Sequence, residues 1–235
     1  MPHADRASSR RAATRGFPVG VDLALFTPNE GELGVLLRAG PDDRSRSRLT
    51  LPSATLSANE TLEQCALNLA MEVVATSPTV MEQVGTFIAP RSASSDGPKL
   101  TVLYLGLLPA GTTHRSPHSW VEVSEAPASL AQRQREEMDT ALVALRARVD
   151  QQPIAFRLLP ATFTLSELQR IYELLLGRRL HKASFRRALH AASLVEATDE
   201  WRSEGRGRPA QLFRYAPPPP RRRRARRGVR FDVIG

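Results

Sequence analysis

Residues 163–215, FTLSELQRIYELLLGRRLHKASFRRALHAASLVEATDEWRSEGRGRPAQLFRY, carry two helical periodicities divided by a glycine stop, then two extended stretches around a basic, glycine-rich tip. Few folds accept that order. Thr164 stands where a helix cap is needed, and Glu167 can reach back to the cap amide. Leu165, Leu168, Ile171, Leu175 and Leu176 line one face behind it, and Gly177 ends the helix. A second helix starts near Lys182. Its Phe185, Ala188, Leu189 and Ala192 gather on one side, which leaves Ala183, Arg187 and His190 opposite and Arg186 on the flank. Residues 194–196 predict a short strand and 211–215 a second, so EGRGRPA becomes a hairpin tip. Glycines there let backbone approach a phosphate closely, and Arg206 and Arg208 supply the charge. The order is that of a winged helix, with the second helix offered to a DNA groove and the hairpin to the duplex edge. The alternative for the same residues is a small helical docking domain with a solvated basic loop.

The charge distribution divides the chain in the same place. The formal net charge of +9 equals that of the two ends alone, +3 over residues 1–16 and +6 over 217–235. Residues 17–156 are net −5 and residues 157–216 net +5, a mildly acidic domain joined to a basic one. The arm 1–16 and the tail 217–235, with its run of prolines and arginines, are disordered by composition, because they hold too little apolar surface to offset chain entropy. Each of the two domains is long enough to bury its own core. The lone Cys65 excludes an intramolecular disulfide framework and fits a reducing cytoplasm. No stretch approaches the roughly 20 apolar residues of a membrane span, and no apolar segment follows the basic N-terminus as in a signal peptide. A cytoplasmic, nucleoid-associated protein is expected.

In the acidic half, strands are expected at 19–26 and 34–38, then at 84–88 and 100–108. A helix from about Glu60 to Val74 carries Leu62, Ala66, Leu69, Ala70 and Val73 at helical spacing, and a long helix is expected over 128–149. Strands interleaved with two helices give an α+β or α/β sandwich.

The segment around the first helix, LPSATLSANETLEQCALNLAMEV, resembles the Nudix box in spacing. Glu60 stands at its first glutamate, Asn68 and Leu69 at its Arg-Glu, Glu72 and Val73 at its Glu-Glu, and Ala54 and Ala75 at glycines. Nudix hydrolysis needs several carboxylates on one helix face to hold divalent cations at a pyrophosphate. Glu72 alone does not make that cluster, so neither a catalytic residue nor a metal site is expected, and the fold is read as a scaffold that binds without cutting.

With WVEVSEAPASLAQ, then PIAFRLLPATFTLSELQRIYELLLG, FRRAL and GRGRPAQLFRY downstream, the chain is similar to the Nudix-related transcriptional regulators of the NrtR type across nearly its whole length between the arms. The resemblance implies a Nudix-like α/β/α sandwich over 17–156 that dimerises and senses ADP-ribose or a related nucleotide. It further implies a winged helix over 157–216 that binds palindromic double-stranded operators, and a repressor of NAD-related metabolism without other cofactors. Phe185, Arg186 and Arg187 match the recognition-helix motif and 205–209 the wing. The candidate DNA contacts are Lys182, Ser184, Arg186, Arg187, His190, Arg206 and Arg208; the candidate ligand residues are Arg38, Glu72 and Arg91. The departures lie in the sensing half. Arg91 is followed by SASSDG where the family often has Arg-Asp-Pro-Arg, and LAQRQ at 130–134 replaces Leu-Ala-Phe-Asp-His.

Other constellations carry less. Pro117 breaks any helix that would set His114 and His118 on one face, so a solvated loop is expected rather than a metal pair. Cys65, with no basic neighbour in sequence, reads as a packing residue, and Trp120 as a strand-end anchor. No phosphate-binding glycine loop, nucleophile elbow or triad is present. Two further functions compete with the regulator: an active ADP-ribose pyrophosphohydrolase with an accessory winged helix, and a protein that uses its arginine tail to bind nucleic acid without sequence preference.

Overall fold

The structure is a computed structural model in which residues 18–29, 31–39, 49–89, 99–203 and 209–217 are described. The N-terminal arm, Arg91, Arg206 and Arg208, and the tail beyond residue 217 lie outside them.

The first half is a mixed sheet between two helix layers. Its strands are β1 (Val19–Asn29), β2 (Glu32–Arg38), β3 (Ser53–Thr55), β4 (Val80–Ala89), β5 (Lys99–Leu107) and β6 (His118–Glu122), in the order β4-β5-β1-β2-β6 with β3 also on β1. β1 and β5 run parallel from Val19 beside Leu100 to Phe26 beside Leu107; the other pairs are antiparallel. Because successive strand residues face opposite sides, Val21, Leu23 and Leu25 pack on α1 (Leu62–Val74), whereas Ala24 and Phe26 face α3 (Gln132–Gln151). A strand buried on both faces therefore reads as the near-continuous apolar run seen in the sequence.

The long helix expected over 128–149 is in fact two. A short α2 (Ala126–Ser129) ends at Leu130, whose extended backbone (ψ 149°) drops its side chain into the core before α3 begins. Periodicity alone cannot see that break, since Leu130 is apolar and in helical register. α3 is then pinned to the sheet by charge. Arg148 pairs with Glu82 on β4, and Arg133 donates to Asp22 on β1 and Thr101 on β5, each at 3.0 Å, with Glu137 3.3 Å away. Asp22 and Glu137 are 1% and 0% exposed.

A 3-10 turn, Ile154–Leu158, leads into the second half: β7 (Thr162–Phe163), α4 (Leu165–Leu176), α5 (Lys182–Ala191), β8 (Val195–Arg202) and β9 (Ala210–Tyr215), with strand order β7-β9-β8. The capping box forms as the sequence requires. Glu167 accepts from the Thr164 amide at 2.7 Å and donates its own amide to Thr164 Oγ1 at 3.1 Å. Gly177 ends α4 at φ +67°, the left-handed conformation that glycine adopts without steric cost.

Two features differ from the sequence reading. β8 runs to Arg202 rather than stopping at 196, because its last six residues, ATDEWR, form a largely exposed edge that pairs with β9 at Ala197, Trp201 and Arg202 and so lacks an apolar alternation. β7 is two residues long, too short to show a period. The core also departs from one-per-domain. A single apolar cluster runs from the α3 face of the sheet through Ile154, Ala155, Phe156 and Leu158 to Phe163, Tyr172, Phe185 and Leu189. The cut expected at 156/157 falls inside that buried turn.

Candidate functional site

α5 owes its orientation to two anchors. Phe185 and Leu189 are buried in the core, with Phe185 edge-on to Tyr172 at 5.5 Å between centroids. With those fixed, helical geometry turns Lys182, Arg186, Arg187 and His190 to solvent, all four exposed, and Ser184 to the margin. His181, just before the helix, caps it. Its ring accepts from the Ser184 amide at 3.4 Å, and Arg187 donates to Ser184 Oγ at 3.3 Å, which steadies the guanidinium. His190 leans on Phe213 of β9 at 6.4 Å. The hairpin that would follow the duplex is tied to α4 by Arg202, which donates to Glu167 at 2.7 Å. That carboxylate thus joins the helix cap to the root of the wing. The tip residues Arg206 and Arg208 lie outside the described residues.

On the Nudix-like helix, two of the positions corresponding to family carboxylates face the core. Leu69 and Val73 are 7% and 2% exposed against the sheet. Glu60 accepts from Asn68 Nδ2 at 2.8 Å, and its charge, after burial, helps hold the Cys65 thiol above its ordinary value. Cys65 is buried, as a packing residue should be. Glu72 is exposed. Among the described residues no three His, Cys, Asp or Glu side chains group in a way that could hold a metal.

Arg38 and Glu72 both act on the charge of His118. Arg38 sits opposite His118 in the β2–β6 register, and the Arg115 amide donates to Val73 O, which draws the loop before β6 to the end of α1. Burial lowers the His118 pKa; the Arg115 carbonyl and Glu72 oppose the shift, while Arg38 and His114 add to it. The imidazole is therefore built into a charged corner rather than left in a free loop. Trp120 lies mid-strand, its indole donating to Thr112 O at 2.9 Å. Arg91, the third candidate ligand residue, lies outside the described residues.

The comparisons with known proteins bear on both halves. Residues 155–215 match the NrtR DNA-binding winged helix domain. Over 204 residues, 83% of this chain and 81% of the relative, the sequence is 31% identical to the ADPR responsive transcriptional repressor NtrR of Acinetobacter baylyi. The chain belongs to the NrtR family. The crystal structure of Shewanella oneidensis NrtR superposes with a TM-score of 0.71 at 28% identity, covering 91% of this chain and 99% of that one. The same NrtR complexed with a 27mer DNA superposes at 0.70 with 29% identity, covering 84% and 93%. The architecture is that of NrtR, a Nudix domain followed by a winged helix.

Set in the NrtR fold, the sequence reading missed two groups of residues. His181 was not identified as the α5 cap, since histidine ranks low among capping residues and only the Ser184 geometry reveals it. Arg146, Arg170, Arg178 and Arg179, which come from α3, α4 and the turn before α5, line one groove. Their spacing in sequence carries no signal for that convergence.

Proposed function

We propose that this chain is an NrtR-type repressor that binds a palindromic operator as a homodimer and responds to ADP-ribose without hydrolysing it. The carrying observation is α5. Four polar or cationic side chains stand exposed on a helix whose apolar side is locked in the core, and among the described residues no carboxylate pairs with Lys182, Arg186, Arg187 or His190. A rigid helix with uncompensated cations suits a groove lined by phosphates and base acceptors. The relatives support it: one is named an ADPR responsive repressor, another was crystallised with DNA. In this reading residues 157–216 are the DNA-reading unit, with Arg186 and Arg187 at base edges and Lys182, Ser184, Arg206 and Arg208 at the backbone. Residues 17–156 are the dimerising and sensing unit, with Arg38, Glu72 and Arg91 near the ligand.

The mechanism is linkage. An effector that binds one arrangement of the paired winged helices better than another shifts operator affinity by the ratio of its two affinities. Burial of Leu69 and Val73 supports a half that binds without cutting, since two positions of the cation-holding face are occupied by core packing.

The test is selection of duplexes from a random pool by the full chain, followed by titration of the enriched sequence. Arg187→Ala is expected to cost about 1–3 kcal/mol on that sequence and to relax preference at one position. ADP-ribose is expected to lower affinity, and with magnesium or manganese to yield no AMP above background. Turnover abolished by Glu72→Gln would restore the hydrolase reading. Failure to enrich any sequence would leave only nonspecific binding.

A further inference from the structure

Between the turn that joins β1 to β2 and the α4–α5 pair lies an open groove of about 800 Å3. Arg146, Arg170, Arg178, Arg179 and Lys182 line it, against two carboxylates, Glu32 and Glu173. One of those carboxylates is already committed. Glu173 accepts from the Gln169 side chain at 3.0 Å, the Leu180 amide at 2.8 Å and Arg179 at 3.3 Å. Burial alone would raise its pKa; these three donors hold it below the ordinary carboxylate value.

The remaining cations have no such partner. Among the described residues no carboxylate lies within ion-pair distance of Arg146, Arg170 or Arg178. Two of the guanidiniums rest on bare backbone. Arg170 lies over Gly31 so closely that a Cβ there would collide with it, and Arg146 Nη2 would stand 2.9 Å from a Cβ on Gly177. Both glycines have positive φ, +95° and +67°, so a side chain is disfavoured there by backbone conformation as well as by space. The sandwich and the winged helix thus bring five cations to one groove against the two carboxylates Glu32 and Glu173, an excess of positive charge among the described residues, and like charges held near one another cost free energy that an anion recovers. Planar guanidiniums also match the paired oxygens of a phosphate.

We propose that this groove is a phosphate-binding site, in which Arg146, Arg170 and Arg178 hold the phosphate groups of a soluble nucleotide or a backbone phosphate of bound DNA. A ligand seated there touches α3 and the β1–β2 turn on one side and α4 and Lys182, the first residue of α5, on the other. Occupancy is thereby linked to the placement of the reading helix. The soluble-ligand source stands apart from the function proposed above; the DNA source rests on it.

The experiment compares the full-length wild type, the pair Arg146→Gln with Arg170→Gln, and the pair Arg146→Lys with Arg170→Lys. Each is titrated calorimetrically with inorganic pyrophosphate, and the affinity of each for the enriched duplex is followed against salt. For a soluble phosphate, wild type binds pyrophosphate, the glutamine pair loses at least tenfold, the lysine pair keeps most of the affinity, and the salt slopes agree. For a DNA phosphate, pyrophosphate gives no heat and the glutamine pair flattens the log–log slope by roughly 1 to 2 units, which the lysine pair restores. Equal pyrophosphate affinity in all three proteins, or no pyrophosphate binding together with equal salt slopes, overturns the proposal. A wild type that binds no DNA removes the repressor reading, and the pyrophosphate titration alone then decides this one.

Discussion

Ala75 ends α1 at φ +54°, where the Nudix box has a glycine. A left-handed alanine sets its Cβ against the following carbonyl at a cost of about 1–2 kcal/mol, partly offset because glycine loses more chain entropy on folding. Ala75→Gly is therefore expected to stabilise the protein by about 0.5–1 kcal/mol, read as a higher urea midpoint at unchanged m-value. His118 gives a pH prediction with a definite sign. Its folded pKa lies below the ordinary value, chiefly through burial, so the unfolded chain binds the proton more readily. The contribution is present above the unfolded pKa and fades as pH falls through it towards the folded one. Replacing His118 with Gln should remove that part of the decline in stability on the acid side of neutrality, as measured by urea midpoints over a pH series. An unaltered acid limb would assign the decline to other groups. The buried acids Asp22 and Glu137 share Arg133, so Arg133→Met, which removes that common partner, should cost on the order of 3 kcal/mol, read from the urea midpoint.

α4 is the element whose ends are most fully specified. Thr164, Glu167 and Gly177 carried its start and stop in the sequence, and the structure adds only that Glu167 also receives Arg202. Loss of the cap is expected to cost about 1 kcal/mol in Thr164→Ala. Glu167→Ala should cost more than Thr164→Ala, because it also releases β8 from α4. Melting curves of the two variants and their double mutant test this, and additivity between the two sites would sink the idea of a shared unit. α5 was legible for the same reason as α4, through an apolar side at helical spacing. β8 was legible only in its first residues, since an edge strand held by backbone bonds needs no apolar alternation. The α2–α3 break at Leu130 was invisible because an apolar residue in helical register gives the same signal whether or not the helix runs through it.

The two halves share one apolar cluster, and Phe156 sits in it at the junction, its ring 5.6, 6.3 and 4.6 Å between centroids from Phe163, Tyr172 and Tyr215 of the winged helix. Phe156→Ala is expected to cost about 3–5 kcal/mol and to lower the stability of sandwich and winged helix together, in one calorimetric transition. Two transitions, of which only the later-melting one kept its temperature, would show that the halves fold apart. Such continuity could not be read from the chain, whose charge divides cleanly near residue 157. Charge maps surfaces, whereas the shared cluster is made of residues that carry none. The same limit holds at the candidate sites. Local pattern sufficed for the winged helix, for the outward face of α5 and for the apolar replacements at Leu69 and Val73, because helix caps and periodicities involve neighbours a few residues apart. The placing of Arg38 opposite His118, and of Arg146 with Arg170 and Arg178 along one groove, depends on strand order and on how α3 packs beside α4. Contacts between elements far apart in sequence leave no period behind them, so only the folded chain brings these charges to one place.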